Sequence, residues 1–396
     1  MGSKYYSKTD PVAVAIMPEY TYEWAQTALN EALSCIGGLD CIENGSRVVI
    51  KANLVSAMKP DCAATTHPVL LCALCDMLKD KGCRVILGDS PGGLYNAAYV
   101  GAVYNATGVR SVESHGASLN NDFSQRTATF PDGAVLKDFT YTGYLDDADH
   151  IINFCKVKSH GMMGLSCAVK NMFGTIPGII KPEYHYRFPK YEDFANVMVD
   201  LNEYFHPVIS IADGVIGMEG NGPTAGTPRR IGCVLASRSP HCLDFVAARM
   251  LGFDRSELPI LDAAYRRDMI FESPEELTVV GSGAKHSVSD FERVVQRRPL
   301  EFSSDSKGIL GLFGKIAARV LRTRPVLKKD ECVGCGICAN ICPAKAIEIK
   351  DKKALIHRKD CIRCFCCQEF CPKSAMKVHR TVIARLFHRE KTQGRN

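Results

Sequence analysis

The chain carries, close to its carboxyl end, a ladder of eight cysteines that repeats itself. Each half has the spacing Cys-x2-Cys-x2-Cys-x3-Cys-Pro, and the second half follows the first after 29 residues. With this spacing, thiolates hold two [4Fe–4S] clusters, and the fourth cysteine of each run ligates the other cluster. The ladder therefore predicts cluster one on Cys332, Cys335, Cys338 and Cys371, and cluster two on Cys361, Cys364, Cys367 and Cys342.

Two other uses of clustered cysteines fit this ladder less well. A zinc ribbon carries two CxxC pairs about 15–20 residues apart and does not require the x3-Cys-Pro ending. A disulfide framework needs an oxidising compartment, whereas the ten cysteines before the ladder are scattered without a framework. Cys366 has no position in the ladder, and we expect a buried spare thiol there. The ladder region resembles the bacterial two-cluster ferredoxins over residues 326–380.

The composition is that of an ordinary globular protein, with 46% hydrophobic and 23% charged residues. No run of 18 apolar residues occurs, so we expect no transmembrane segment. The first residues lack the apolar core of a secretory signal. Together with the many free cysteines, these features predict a reducing, cytoplasmic location.

Charge is divided unevenly along the chain. Residues 1–302 carry 28 Lys and Arg against 35 Asp and Glu, whereas residues 303–396 carry 21 against 8. Two oxidised clusters, with four thiolates each, add only about −2 apiece, so the second region remains basic. A basic surface favours an acidic redox partner, such as a ferredoxin-like or flavodoxin-like protein. No aromatic platform is interleaved with the basic residues, so we expect no nucleic-acid partner.

Strand and helix patterns alternate over the larger part of the chain. Apolar runs rich in β-branched residues predict strands at 11–17, 47–55, 84–88, 150–155, 208–212 and 231–236. Helical patterns lie at 22–34, 68–80, 191–204 and 241–251. Buried apolar strands separated by helices predict an α/β fold, with a mostly parallel sheet covered by helices on both faces. Within the ladder, alternation over 346–349 and 354–357 predicts a hairpin in a small α+β ferredoxin-like domain.

These patterns divide the chain into four parts. We expect an α/β domain over residues 1–302, a basic amphipathic linker over 303–325, a two-cluster ferredoxin domain over 326–380 and a basic tail over 381–396. The linker begins with a polar stretch and continues as a candidate amphipathic helix over residues 309–321.

Polar residues lie in or just after four of the predicted strands. Ligands of open α/β sheets bind in the crevice outside the carboxyl ends of the strands, so these residues should converge there. The candidates are Lys51, Asn53, Asp89, Gly92, Gly93, Lys158, His160 and Asp213, joined by Lys170, Glu219 and Gly220 in neighbouring segments. Lysines at such an edge suit a carboxylate or phosphate, and a desolvated lysine can act as a base. Of Lys156 and Lys158, we expect only one to face a ligand.

The same segments resemble a known family. They are RVVIKANLV (47–55), TTHP (65–68), LGDSPGG (87–93), INFCKVKSHGMMGLSCAVKNMFG (152–174) and DGVIGMEGNGPTAG (213–226). In this order they are similar to the DUF362 (domain of unknown function 362) family over roughly residues 10–285, and fusion to a two-cluster ferredoxin is common there. The family usually has proline where Ala52 stands and threonine where Ser159 stands. The resemblance implies an architecture and a site more firmly than a reaction.

Two classes of function fit these features best. The first is an iron–sulfur oxidoreductase, whose ferredoxin domain passes single electrons to an anionic small molecule or a further, unidentified cofactor in the α/β domain. Its catalytic residues would be Lys158, His160, Lys170, Asp89 and Asp213, and its cofactor-binding residues Lys51, Asn53, Gly92, Gly93, Glu219 and Gly220. The alternative is a non-catalytic electron-transfer or assembly protein whose large domain docks a partner. A non-redox enzyme with structural clusters is a third class, and we favour the oxidoreductase.

Overall fold

The computed structural model describes residues 2–288, 290–294 and 324–379. The chain divides into two compact units, Met1–Val294 and Val295–Asn396. We call the described parts of these the α/β unit and the cysteine unit. The predicted tail over 381–396 lies outside the described residues, as does the predicted linker except for its last two residues, which begin a strand. No helix in the described parts of the chain is long and apolar enough to cross a membrane.

The α/β unit alternates strands with helices, as predicted. Its strands are β1 (Val12–Ile16), β2 (Arg47–Lys51), β3 (Arg84–Gly88), β4 (Ala117–Leu119), β5 (Gln125–Thr129), β6 (Asp138–Thr142), β7 (His150–His160), β8 (Gly164–Ser166), β9 (Ile209–Glu219), β10 (Thr227–Ser237) and β11 (Val279–Val280). Its helices are α1 (Tyr22–Ser34), α2 (Pro68–Asp80), α3 (Ala97–Thr107), α4 (Ala168–Asn171), α5 (Lys181–Arg187), α6 (Tyr191–Phe205), α7 (Pro240–Met250) and α8 (Pro259–Arg266).

Nine of these strands form one mixed, mostly parallel sheet in the order β11-β1-β10-β9-β7-β2-β3-β4, with β8 paired to β7. The strands β9, β7, β2, β3 and β4 run parallel to one another, whereas β10 is antiparallel to both β9 and β1, and β8 is antiparallel to β7. Strands β5 and β6 form a separate hairpin. The predicted fold class is confirmed. Parallel neighbours end at the same edge of the sheet, which places the residues after β2, β3 and β7 close together.

Helices cover both faces of this sheet. Val48 and Ile50 of β2 belong to a core that also contains the buried faces of α1 and α2. Val49, between them, is buried on the opposite face because successive side chains of a strand point to opposite sides. There, α4, α6, α7 and α8 pack on one another, and α4 and α7 also pack on the strands.

Strands β7 and β9 are longer than predicted. Each spans eleven residues and continues past the predicted ends at residues 155 and 212. The extensions are stabilised by pairing, because β8 folds back on the end of β7 and β10 follows β9. Lys158, His160 and Asp213 therefore lie within strands, where we expected them to follow strands.

The cysteine unit is a structural repeat. Its elements are β12 (Arg324–Leu327), α9 (Ile337–Asn340) and β13 (Ile347–Lys350), followed by β14 (Lys353–Ile356), α10 (Cys366–Glu369) and β15 (Met376–His379). Each element of the second half begins 29 residues after its counterpart, which is the period of the cysteine ladder. Strand β12 pairs with β15, and β13 pairs with β14, which confirms the predicted hairpin. Each half thus contributes one strand to each of the two antiparallel strand pairs.

The repeat extends to the backbone torsions of the cysteine loops. Residues with left-handed φ are Gly334, Gly336 and Lys345 in the first half, and Arg363, Phe365 and Ser374 at the matching positions of the second. Glycine adopts such torsions without steric cost, and other residues usually avoid them. The second half adopts them with arginine and phenylalanine, so the ladder rather than the presence of glycine dictates this loop conformation.

Candidate functional site

Lys51, the last residue of β2, is completely buried. Its Nζ lies 2.7 Å from Asp89 Oδ1 and donates to the carbonyl oxygen of Ala52 at 2.9 Å. The second carboxylate oxygen of Asp89 accepts the backbone N–H of Leu54 at 2.7 Å. Burial lowers the pKa of Lys51, and the Asp89 carboxylate opposes this effect. The ion pair links the ends of the neighbouring strands β2 and β3.

Gly174 lies directly against this ion pair, in the turn that follows α4. A Cβ atom at this position would overlap Asp89 Oδ1 and Lys51 Nζ. Its carbonyl oxygen also accepts the backbone N–H of Ser90 at 3.2 Å. The absent side chain is what allows the turn to close over two buried charges.

Replacing Gly174 with alanine should therefore lower the free energy of unfolding by about 1–3 kcal/mol, because the added methyl group overpacks a buried pair. The control is Gly101→Ala within α3, where a Cβ would meet no atom within 4 Å. That substitution should raise stability by roughly 0.5–1 kcal/mol through helix propensity. Urea unfolding followed by fluorescence of Trp24, the single tryptophan, measures both effects. Equal stabilities for the two variants would contradict this account.

An amide network adjoins the ion pair. Asn171, at the end of α4, donates from Nδ2 to Asn153 Oδ1 at 2.8 Å and to the carbonyl oxygen of Lys51 at 3.1 Å. Its Oδ1 accepts from Asn53 Nδ2 at 2.8 Å. Asn153 and Asn171 were not among the predicted site residues. An asparagine within the apolar run of β7 was the available signal, because a buried amide requires hydrogen-bond partners.

Asn53 connects this network to Lys158. Lys158 is 1% exposed, and its Nζ donates to Asn53 Oδ1 at 2.7 Å and to the carbonyl oxygen of Ala64 at 2.7 Å. The backbone N–H of Asn53 donates to Thr66 Oγ1 at 3.0 Å. Asn53 is only partly buried. The predicted residues Lys51, Asn53, Asp89 and Lys158 are thus brought together.

Asp213 lies in a second constellation on β9. Lys156 Nζ is 2.9 Å from Asp213 Oδ2 and 2.8 Å from the hydroxyl oxygen of Tyr20, and the Tyr20 hydroxyl donates to Asp213 Oδ1 at 2.7 Å. The ring of His67 stacks on Tyr20 with centroids 3.6 Å apart, and the His67 backbone N–H donates to Asp213 at 3.0 Å. Burial lowers the pKa of Lys156. Tyr20 and Lys156 were not predicted as site residues.

The expectation that only one of Lys156 and Lys158 faces a ligand stays a prediction, and the structure places the two ammonium groups in different constellations. Residues two positions apart on a regular strand point to the same side. The register between β7 and β9 also shifts between these residues, which directs one lysine to Asp213 and the other to Asn53.

His67 should remain neutral well below its ordinary pKa of about 6.5. Burial lowers the pKa of His67 to about 4, and the nearby Asp213 carboxylate only partly offsets this. Between these two values the unfolded chain binds the additional proton, so stability falls as the pH is lowered. Between about pH 7.5 and pH 4.5 we expect wild type to lose about 2 kcal/mol more than His67→Gln, after allowance for solvent screening. Urea unfolding at both pH values measures the difference, and equal losses would show that His67 titrates as an exposed histidine.

His160 ends β7 and is completely buried. Its Nδ1 accepts the backbone N–H groups of Met162 and Met163 at 3.0 and 3.1 Å. Acceptance at Nδ1 places a ring proton on Nε2. Beside it, Ser159 Oγ donates to the carbonyl oxygen of Gly220 at 3.0 Å, which joins the end of β7 to the loop after β9.

The contacts described for the remaining predicted residues are with residues outside the two constellations. These residues are Lys170, Gly92, Gly93, Glu219 and Gly220. Lys170 Nζ lies 5.8 Å from the centroid of the Phe173 ring. Gly92 donates its N–H to the carbonyl oxygen of Val55 at 2.9 Å, and a Cβ on Gly93 would meet the ring of Tyr99. The Glu219 carboxylate accepts the backbone N–H of Glu292 at 2.9 Å, and the N–H of Gly220 donates to the Glu292 carbonyl oxygen at 2.9 Å. Glu219 and Gly220 therefore hold the 290–294 segment.

Four cysteines of the ladder line one cavity. Its walls include Cys332, Cys335, Cys338 and Cys371, the set predicted for cluster one, and it offers about 360 Å³ of space, part of it open to solvent. Burial raises the pKa of Cys338 to about 11, with further contributions from the other three thiols. The backbone N–H of Ala375 donates to Cys371 Sγ at 3.2 Å, and N–H groups of this kind stabilise thiolate ligands.

Thiols of the second set also raise one another's pKa. Burial raises the pKa of Cys361, with further contributions from Cys364 and Cys342. Burial likewise raises the pKa of Cys367, with contributions from these three thiols and from Cys338 of the first set. The backbone N–H of Ala346 donates to Cys342 Sγ at 3.2 Å, which repeats the bond at Cys371. Cys366 is 1% exposed, as expected for a buried thiol outside the ladder. Within the described residues, no group of three His, Cys, Asp or Glu side chains converges on a single metal ion.

Comparison with known protein families matches two separate parts of the chain. A family described as Domain of unknown function (DUF362) matches residues 48–249, which make up half of the chain. The chain belongs to the DUF362 family. A second family, described as a 4Fe-4S dicluster domain, matches residues 324–372, so the DUF362 portion is followed by an iron–sulfur ferredoxin domain, as expected.

One relative of this DUF362 protein is the thylakoid-associated protein sll1697 of Synechocystis sp. (strain ATCC 27184 / PCC 6803 / Kazusa). It is 30% identical over 288 residues, which cover 70% of this chain and 86% of the relative. Among solved structures, a lactate racemase apoprotein from Thermoanaerobacterium thermosaccharolyticum is 12% identical, with a TM-score of 0.39. The alignment covers 60% of this chain and 56% of that protein, and the likeness is too weak to bear on function.

Proposed function

We propose that this DUF362 protein is an iron–sulfur oxidoreductase in which the ferredoxin portion passes single electrons to an anionic small molecule or further cofactor at the strand ends of the α/β unit. The observation that carries this proposal is the presence, in one chain, of a 4Fe-4S dicluster domain and an α/β unit with three buried lysines at neighbouring strands. Buried ammonium groups are costly, so three of them at one sheet edge are a feature of a functional site.

The two cysteine sets would hold two [4Fe–4S] clusters, which supply one-electron transfer when bound. The chain's own residues would bind and orient the electron acceptor. Lys158, positioned by Asn53 and the Ala64 carbonyl oxygen, would attract a carboxylate or phosphate. Tyr20, His67 and Asn53 are partly buried and mark the accessible side of the site. Among the predicted catalytic residues, His160 carries a proton on Nε2, and Lys170 lies within the short helix α4.

The positive charge of the carboxyl-terminal region supports an acidic protein as the electron donor. With 21 Lys and Arg against 8 Asp and Glu after residue 302, an acidic ferredoxin-like or flavodoxin-like protein is the partner that electrostatic attraction favours. Such an attraction accelerates encounter at low ionic strength and weakens as salt is added.

Reoxidation of the reduced clusters tests this function. Anaerobically purified chain is reduced with dithionite and mixed with candidate carboxylates, phosphates and nucleotides while the visible absorbance is followed. A substrate should restore the absorbance of the oxidised clusters in wild type and in Lys59→Met, which alters an exposed lysine. Lys158→Met should slow this recovery at least tenfold, equivalent to about 1.4 kcal/mol.

Two outcomes would refute the proposal. One is that no compound reoxidises the clusters faster in wild type than in Lys158→Met. The other is that a compound raises the unfolding temperature of wild type but leaves the clusters reduced. The second outcome would favour the alternative in which the large domain docks a partner without chemistry.

A further inference from the structure

Cys155 and Cys167 form a pair of thiols inside the α/β unit, apart from the cysteine ladder. Their Sγ atoms are 3.6 Å apart, and the two side chains are 0% and 1% exposed. Cys155 lies in β7, and Cys167 is the residue that precedes α4. The return strand β8 brings them together, because it pairs Ser166 with Lys158 of β7. Neither thiol has a role in the proposed electron transfer.

Asp244, on α7, supplies a proton acceptor to this pair. Its carboxylate accepts the backbone N–H groups of Ala168 and Val169, the two residues after Cys167, at 2.6 and 3.1 Å, and it contributes to the raised pKa of the Cys167 thiol. Burial raises the pKa of Asp244 to about 7, and it raises the pKa of both thiols. Because the thiolate is the reactive form of cysteine, a buried thiol requires a neighbouring base to become reactive.

The geometry also suits bond formation between the two sulfur atoms. A disulfide has an S–S length of about 2.05 Å, so the sulfurs must approach by roughly 1.5 Å. The closed ring would span residues 155–167, and this segment contains Lys156, Lys158 and His160. Oxidation would therefore fix both ends of the segment that carries the candidate site.

We propose that Cys155 and Cys167 are a redox-active dithiol of the α/β unit, which a small peroxide oxidises to an intramolecular disulfide and a dithiol reductant restores. This gives the α/β unit a two-electron couple of its own, beyond the one-electron couples of the ladder. Because both thiols are buried, the oxidant that we propose is as small as hydrogen peroxide rather than a larger disulfide such as oxidised glutathione.

The reaction takes two steps. Cys167, after its proton has moved to Asp244, attacks one oxygen of hydrogen peroxide, and the O–O bond breaks to leave a sulfenic acid and hydroxide. The hydroxide takes the proton from Asp244 and becomes water. The Cys155 sulfur then attacks the sulfenic sulfur, the S–O bond breaks, and a second water leaves with the Cys155 proton. The thiols lose two electrons and two protons, and the peroxide gains them.

Mapping of the oxidised thiols tests the proposal directly. The full chain with its clusters is treated anaerobically with hydrogen peroxide in amounts equal to the protein. Free thiols are then alkylated under denaturing conditions, and peptides are identified by mass spectrometry. Visible absorbance of the same sample reports cluster loss. We expect a linked peptide pair joining Cys155 to Cys167 before the clusters are lost, and its disappearance after dithiothreitol.

Matched variants separate this pair from other buried thiols. Cys155→Ala and Cys167→Ala should abolish the link, whereas Cys233→Ala, at another buried position in the sheet, should retain it. In wild type, the link should also slow amide hydrogen exchange over residues 155–171. The proposal fails if both thiols of wild type remain free for alkylation after the peroxide is consumed. It also fails if the link forms only in step with cluster loss.

Discussion

Replacing Asp89 with alanine should lower the free energy of unfolding of the α/β unit by about 3–5 kcal/mol. The substitution leaves the Lys51 ammonium buried without its carboxylate partner 2.7 Å away. It also removes the acceptor for the Leu54 N–H. A protein is typically stable by only about 5–15 kcal/mol, so this is a large share of the total. Urea unfolding followed by Trp24 fluorescence reports on this unit, because the tryptophan lies in α1.

The control for this prediction is Asp149→Ala. Asp149 pairs with Arg47 at 2.9 Å, but both side chains are about half exposed. Exposed pairs contribute about 0–1 kcal/mol, so the control should be nearly neutral. The deficit of Asp89→Ala should shrink as the pH rises, because burial lowers the pKa of Lys51 and loss of the opposing Asp89 carboxylate lowers it further. The unfolded variant then binds more protons than the folded variant, so its stability rises with pH more steeply than that of wild type. A deficit below about 1 kcal/mol at neutral pH would show that the buried pair is not a major determinant of stability.

Replacing Cys342 with alanine should remove cluster two and preserve cluster one, so that bound iron falls from about eight to about four atoms per chain. The reason is the predicted exchange of ligands between the halves, since Cys342 belongs to the first run and is predicted to complete the cluster of Cys361, Cys364 and Cys367. Iron and sulfide assays on anaerobically purified protein measure the change. The control is Cys366→Ala, which removes a buried thiol outside the ladder and should retain about eight atoms.

Double variants identify which cluster is lost. If the ligands are exchanged, Cys342→Ala with Cys361→Ala affects a single cluster and should retain about four iron atoms. Cys342→Ala with Cys332→Ala then affects both clusters and should retain almost none. Ligation within each run would reverse these two results. Iron content alone therefore distinguishes the two ligand schemes, and neither cluster needs a spectrum that sets it apart from the other.

Sequence reasoning located elements whose signals are local. The bounds of α1, α2 and β3 agree with those predicted, because each has an apolar pattern of its own. Each of the two helices also begins after a residue whose side chain caps it, Thr21 for α1 and His67 for α2. The lengths of β7 and β9 depend on pairing with β8 and β10, and no local pattern encodes that pairing. Between residues 89 and 149 no element was predicted, although α3 and three strands lie there.

The sequence predicted those contacts of the candidate site that follow from the order of parallel strands in the sheet. Lys51 and Asp89 follow adjacent parallel strands, and the sheet order alone brings them together. Tyr20 approaches Asp213 from a distant loop, and such a tertiary contact leaves no periodic signature in the sequence. Glu219 was grouped with the site because of its glycine-rich surroundings, but the returning 290–294 segment provides its hydrogen-bond partner.

The interleaved halves of the cysteine unit determine when that unit can mature during protein synthesis. When the ribosome has released only the first half, β12 still lacks its neighbour β15, and the cavity still lacks the wall that contains Cys371. The released half therefore does not form a complete cluster-binding cavity at that stage. Iron delivery should therefore be a late event that follows emergence of the last strand, and a nascent chain halted before it should be a target for proteolysis.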